Sequence, residues 1–359
     1  MGYIMKKIEK KFGIFAVIFL LAIPAFSQTL TIEDLQSGVE QFSQSMASPL
    51  QFNSTLGLNW SDAYIGQLFA LPPHFGVGVS AGFTSIPLDA LSGMMSFVMP
   101  GNDPDSGIKD LLDGVMPEEL ASYISFPFPS YTLEARLGGF GASFDIGAKY
   151  SFFEPQVISE QIDKFLPGII PIDFNYMLAG ADIRFALFNP KAVPIKLSIG
   201  IGFNYLKGGI STKLNDTLTY YFDANGSNNS LTVTNPEVDL IWETKTIEAK
   251  AQLSFPLLVV TPYVGIGASY GWSEIGYSIT EKVYVNGAAI ENQYIDVLMD
   301  EGLDITPRGF SSIMDVNGIN LRAFGGISIN LFVIMFDATV LYNISDKSLG
   351  AQVGIRFQL

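Results

Sequence analysis

The chain ends Leu349-Gly350-Ala351-Gln352-Val353-Gly354-Ile355-Arg356-Phe357-Gln358-Leu359. Every odd-numbered residue here is apolar, and every even-numbered one is small or polar. A strand has a side-chain period of two, so this alternation puts the whole apolar set on one face. A soluble sandwich would bury that face in its core. A transmembrane barrel turns it outward to lipid and its polar face to a wet lumen, over about 9–11 tilted residues. The rest of the sequence separates the two.

The 359 residues are 48% hydrophobic and only 15% charged, with a formal charge of −15, one histidine and no cysteine. An ordinary soluble domain is about 25% charged. Without cysteine there is no disulfide or thiolate chemistry, and one histidine leaves no transition-metal set, so no metal and no cofactor are expected. The acidic balance excludes nucleic acid as a partner, because phosphate backbones want clustered Lys and Arg. Lys6, Lys7, Lys10 and Lys11 precede an apolar run from Phe12 to Ile23, followed by Pro24 and Ala25-Phe26-Ser27. That is the form of a secretory signal, so residues 1–27 are expected to be removed. No later run approaches the roughly 18–20 apolar residues of a spanning helix. A chain this apolar, without such a run, suits strands that face lipid.

From Phe75 onward the alternation is plain. Ten strands are expected, at 75–83, 131–137, 140–152, 172–188, 195–205, 247–255, 258–272, 319–331, 332–344 and 349–359. Connections near 138, 190, 256 and 331 are short, while those at 87–128, 153–171, 207–237 and 274–315 are long. Short periplasmic turns at one rim and long extracellular loops at the other mark an outer-membrane barrel. Within the long loops, helices are expected at 108–115 and 117–123, and hairpin turns at Asn225-Gly226 and Asn286-Gly287. An even strand count puts both termini at the short-turn rim. In 172–188 the apolar parity flips at Ala179-Gly180, which reads as a β-bulge. Aromatics such as Phe75, Tyr131, Tyr205, Trp272 and Tyr342 lie near strand ends, as interfacial girdles do.

The deciding feature is charge placement, since the apolar faces of these strands carry almost none. The fold class expected is therefore all-β, a transmembrane antiparallel β-barrel of 10–14 strands over residues 75–359. Ahead of it, residues 28–74 are expected as a short N-terminal plug. A weak helical period runs through Ile32, Leu35, Val39, Phe42 and Met46, while 56–62 alternates poorly and reads as a strand pair or as part of the plug.

The signal, the alternating strands and the closing Val353-Gly354-Ile355-Arg356-Phe357-Gln358-Leu359 resemble outer-membrane β-barrel proteins. Leu359 departs from their commoner terminal Phe, although Phe357 shares its face. The polar segment ahead of the barrel and the strand Phe75-Gly76-Val77-Gly78-Val79-Ser80-Ala81-Gly82-Phe83 resemble the long-chain fatty-acid transporter family. That resemblance implies a lumen plugged by the N-terminal segment and a kinked strand that opens a lateral gap, for which Ala179 and Gly180 are the candidates. It also implies the outer membrane as location, with membrane lipid, the barrel-assembly machinery and a hydrophobic or amphiphilic small molecule as partners.

By strand parity Arg136, Lys149, Arg184, Lys196, Lys250, Arg322 and Arg356 face the lumen, with Glu134, Asp145, Asp182, Glu248 and Asp337. They read as cross-strand ion pairs that stiffen the wall, or as a site for the carboxylate of an amphiphile. Met177, Leu206, Phe324 and Leu341 are also expected inward, and an aqueous pore has little use for them. Catalysis is not expected, because barrel hydrolases rely on histidine and His74 sits alone beside Pro72-Pro73. The function expected is a channel for passive uptake of hydrophobic or amphiphilic small molecules. Alternatives are an open, water-filled porin and a structural or host-contact barrel acting through its loops.

Overall fold

The structure, a computed structural model, describes residues 30–63, 65, 74–86, 126–138, 143–153, 172–189, 194–213, 217–224, 226–300 and 303–359. The expected signal, the helices expected at 108–115 and 117–123, Asn225 and most of 153–171 lie outside these residues. The described chain begins with β1 (Leu30–Thr31) and α1 (Ile32–Ser54). Then come β2 (His74–Ile86), β3 (Phe126–Gly138), β4 (Phe144–Phe153), β5 (Ile172–Phe188) and β6 (Lys196–Lys213). A hairpin of β7 (Thr217–Ala224) and β8 (Ser227–Thr234) precedes β9 (Glu237–Ser254) and β10 (Val260–Thr280). Short pieces follow: β11 (Val283–Val285), β12 (Ala288–Ala289), α2 (Asn292–Asp300) and β13 (Asp304–Thr306). The chain closes with β14 (Gly309–Leu331), β15 (Ile334–Asn343) and β16 (Ser348–Gln358).

Ten of these strands form one antiparallel wall in the order β10-β9-β6-β5-β4-β3-β2-β16-β15-β14, and β10 pairs with β14 to close it. The expected barrel class holds, at the lower end of the expected strand count. The wall is uneven in height, with 23 residues in β14 and 21 in β10 against 10 each in β4 and β15. Leu359 N–H donates to the Phe75 carbonyl at the short-turn rim. The other end of the described chain lies elsewhere, since Leu30 pairs in parallel with Tyr220 of β7 at the long-loop end. The two ends of the ten-strand wall do sit together at the short-turn rim, where Gly76 of β2 pairs with Gln358 of β16, and only the segment ahead of the wall reaches the other end.

Side-chain direction along β9 reveals two regimes. Its even-numbered residues are buried and point inward throughout. In the lower half these are Thr246, Glu248, Lys250, Gln252 and Ser254; in the upper half they are Val238, Leu240 and Trp242. The outward residues change in the opposite sense, from Ile247, Ala249, Ala251 and Leu253 below to Lys245, Glu243 and Asp239 above. In β10 the inward Ser269, Gly271 and Ser273 likewise give way to Ile275, Tyr277 and Ile279, while outward Trp272 gives way to Glu274. Below the change the wall faces lipid; above it the wall faces water and closes over an apolar core.

This change accounts for three errors of the sequence reading. Ala179-Gly180 is no bulge: Ala179 pairs with Tyr205 and Gly180 with Asn204 in unbroken register, and the register of β5 against β6 shifts only between Ala186 and Phe188. The apparent parity flip marks where buried Tyr176 and Leu178 enter the upper core. Met177, between them, is not on the inward face, whereas Leu206, Phe324 and Leu341 are buried as expected. Finally, 207–213, 274–280 and 309–315 are strand rather than loop. Their polar outward residues made them read as connections.

The upper core gathers Phe42, Met46, Ala47 and Leu50 of α1 with Phe128, Tyr176, Leu206, Leu240, Trp242 and Ile275 of the wall. Above it β1, β7, β8, β11 and β12 form a small sheet whose Tyr220, Leu231, Val233 and Val283 join the same cluster. The Tyr220 phenol, buried there edge-on to Phe310 at 5.7 Å, is pushed above its ordinary pKa by desolvation. At 23 residues, α1 is roughly 34 Å long at 1.5 Å per residue.

Candidate functional site

The lower lumen is occupied by the segment that follows α1. Gly57 and Leu58 both have positive φ, 83° and 58°, and turn the chain so that Trp60 enters between two arginines. The Arg356 guanidinium lies 4.7 Å from the Trp60 ring centroid and that of Arg136 lies 5.4 Å away. Trp60 Nε1–H donates to Glu134 Oε2 at 2.5 Å. Glu134 Oε1 in turn accepts from Ser80 and Thr132. Gly76 leaves room for this indole, since a Cβ there would sit 2.7 Å from the ring.

Around that indole runs a buried ion network. Arg136 meets Asp145 and Asp182, each at 2.7 Å, and Arg184 meets Asp145 at 2.6 Å. Lys250 reaches Asp182 at 2.9 Å, and Arg356 reaches Asp337 and Asp62 at 2.7 Å. Arg322 lies 2.8 Å from Glu248 as an ion pair without hydrogen-bond alignment. Lys149 stands apart: its Nζ donates to the Ser54 carbonyl at 2.7 Å and to that of Leu56 at 2.5 Å. A cation there complements the carbonyl end of α1. Asp145 also accepts from Ile65 N–H, and Arg136 donates to the Leu58 carbonyl. A buried ion pair roughly breaks even against apolar packing, yet losing one partner costs about 3–5 kcal/mol. These contacts therefore fix where residues 54–63 and Ile65 sit more than they add net stability.

Of the residues expected in the lumen, Arg136, Lys149, Arg184, Lys250, Arg322, Arg356, Glu134, Asp145 and Phe324 are all buried inside the wall. Lys196 is only half-buried, near the short-turn rim. Ala179 and Gly180 line no break in the ladder.

The break is one seam away. The β3–β4 ladder runs from Gly138–Asp145 to Leu133–Tyr150 and stops, although β4 continues to Phe153 and β3 to Phe126. Beyond that point β3 still pairs with β2, and β4 with β5. Thr132 and Ser151 would be the next pair, and the buried Ser151 Oγ has no hydrogen-bond partner among the described residues. On the outer face a groove of about 770 Å³ spans this place, lined by Tyr131, Leu133, Tyr150, Val79, Phe336, Val353 and Ile355. On the inner side, Phe128 and Tyr176 of the apolar core meet at 5.8 Å.

The sequence carries a signal for this break that periodicity does not register. Upper β3 reads Phe126-Pro127-Phe128-Pro129. Proline lacks the donor a ladder needs and is confined to strand edges, so two prolines at alternate positions predict one unpaired side. Trp60 and Asp62 were missed for another reason: an irregular lumen segment has no period to read.

No known family profile and no curated protein matches this sequence. Among solved structures, the outer membrane protease OmpT from Escherichia coli is similar over 82% of this chain and 100% of its own, at 8% identity and a TM-score of 0.35. The Pseudomonas putida toluene transporter TodX is similar over 93% of this chain and 98% of its own, at 9% identity and a TM-score of 0.25. LpxR from Salmonella typhimurium covers 79% and 99%, again at 9% and 0.25. Likeness this distant speaks to the barrel and not to activity or substrate. Because barrels of this kind include a protease, the fold does not exclude catalysis, and the expectation of a non-enzyme drawn from the lone His74 is corrected.

Proposed function

We propose that this chain is an outer-membrane channel for passive uptake of hydrophobic or amphiphilic small molecules, discharging them sideways into the bilayer. The observation that carries the reading is the end of the β3–β4 ladder at Leu133–Tyr150, opposite an apolar groove on the lipid side. An apolar solute held in the upper core meets ion pairs and an indole below it. Desolvating those groups without replacing their partners is costly. The wall at Thr132 and Ser151 lacks the ladder that seals the other seams, so the exit of lowest cost is lateral. In this reading α1 is the movable plug, since its apolar side chains occupy the upper core that a solute would enter. A water-filled porin fits poorly with a lower lumen occupied by Trp60 and its arginine partners.

The test is a lock. With no native cysteine, Thr132→Cys and Ser151→Cys together introduce a single possible disulfide. That bond forms only when the two Cα atoms approach within about 7 Å, so oxidation itself zips the break. Uptake of a fluorescent long-chain amphiphile by cells bearing the double variant should stop on oxidation and return on reduction. Unchanged uptake in the oxidised protein sinks the lateral route.

A further inference from the structure

We propose that two hairpin tips at the short-turn rim, Leu258 between β9 and β10 and Phe332 between β14 and β15, are anchors embedded in the bilayer leaflet on that side. Both turns have two central residues. Leu257 bridges Val260 across Leu258-Val259, and Leu331 pairs with Ile334 across Phe332-Val333. Leu258 has φ 44° and Phe332 has φ 60°, the left-handed region that hairpins ordinarily fill with Gly, Asn or Asp. A bulky side chain there is an outlier, and such strain persists where something else requires the residue.

The molecule itself supplies the comparison. In turns at the opposite end, positive φ falls on Gly226, Asn235, Asn286, Gly287, Gly309 and Lys347, all of them glycine or polar. At the short-turn rim it falls on Leu and Phe. Leu258 is 103% exposed and Phe332 72%, with Leu257, Val259 and Leu331 at 54–56%. In water this combination is unfavourable twice over, in backbone conformation and in unburied apolar surface. In lipid the second count reverses sign.

Lipid is favoured over a protein partner by continuity. The outward faces of β10 and β14 run through Val264 to Val260 and through Ile327 to Leu331, and reach the tips without an intervening charge. A protein-docking patch exposed to water carries a polar rim, and this one has none between itself and the lipid-facing belt. In wall order the β10–β14 seam lies five strands from the β3–β4 break in either direction, so the anchors belong to the strands farthest from it. The inference stands on the turns alone and is independent of transport.

Depth measurement tests it. The full chain, free of native cysteine, is folded into phosphatidylcholine vesicles with Leu258→Cys or Phe332→Cys carrying an environment-sensitive fluorophore. Val264→Cys in the belt and Asn286→Cys at the far end serve as references. Both tip probes should be quenched by lipids brominated in their acyl chains and shielded from aqueous iodide, as the belt probe is and the far-end probe is not. Where a tip variant fails to fold, judged by heat-dependent gel mobility, Val259→Cys or Val333→Cys reports the same turn. Quenching by iodide and not by bromolipid at both tips overturns the proposal and makes a water-side protein the occupant to seek.

Discussion

The lower and upper halves of this barrel share one backbone and one side-chain parity, and differ in which face is apolar. Along β9 the inward residues Glu248 and Lys250 lie six to ten residues from inward Trp242 and Leu240, with no break in register between them. Below, apolar side chains face out and ions face in; above, Asp239 and Glu243 face out and the core is apolar. A barrel strand therefore does not announce a fixed polarity per face. It records the solvent on each side, level by level. The wall faces lipid in its lower part and water in its upper part, where it stays closed around an apolar core under the small sheet.

The sharpest way to break that contrast is to remove an ion from the lower interior. Arg136→Ala takes one partner from both Asp145 and Asp182 and one wall from the Trp60 slot. The expected loss is about 3–5 kcal/mol, read as a lowered urea midpoint for the protein folded in vesicles. An unchanged midpoint would mean the network is decorative and that the lower half tolerates the apolar interior found above.

A smaller effect tests the outer face. Ala249→Lys, at the lipid level of β9, should cost about 2–4 kcal/mol, while Ile241→Lys, on the same face higher up, should cost about 0–1. The ratio matters more than either value, because both substitutions add the same charge to the same strand. Equal costs measured by vesicle unfolding would place the lipid boundary above Ile241 and dissolve the division drawn at Lys245.

How much of this was legible beforehand follows from the same contrast. The belt was readable because alternation there spans several residues with glycine or a polar group at every second place, as in 349–359. The upper walls were not. In Val238-Asp239-Leu240-Ile241-Trp242-Glu243 the alternation is present with the opposite sense, Ile241 blurs it, and its acidic outward residues resemble loop. Most inward ions were found by parity alone, since parity is set by the backbone and survives the change of solvent. The lumen segment and its Trp60 could not be reached that way, because their positions are fixed by tertiary partners such as Glu134 and Arg356. The break between β3 and β4 was visible only as Pro127 and Pro129, a chemical signal outside any count of apolar periods.

The mildest test lies on the boundary itself. Tyr176 has its ring in the upper core against Phe128, while its hydroxyl donates to Asn53 Oδ1 at 2.8 Å, at the foot of α1. Asn53 Nδ2–H donates in turn to the Phe128 carbonyl at 3.0 Å, on the strand that borders the break. Tyr176→Phe keeps the ring and leaves a buried amide oxygen unsatisfied, so it should cost about 1–2 kcal/mol. Asn53→Ala also takes the donor from the Phe128 carbonyl and Thr84 Oγ1, so it should cost more, and the double variant should cost less than the two together, because both remove the Tyr176–Asn53 bond. Additive costs in that cycle would mean the plug and the upper core are not coupled through this hydroxyl. The helix α1 would then be tied to the strand beside the break through the Asn53 bond to the Phe128 carbonyl and not through the Tyr176 hydroxyl.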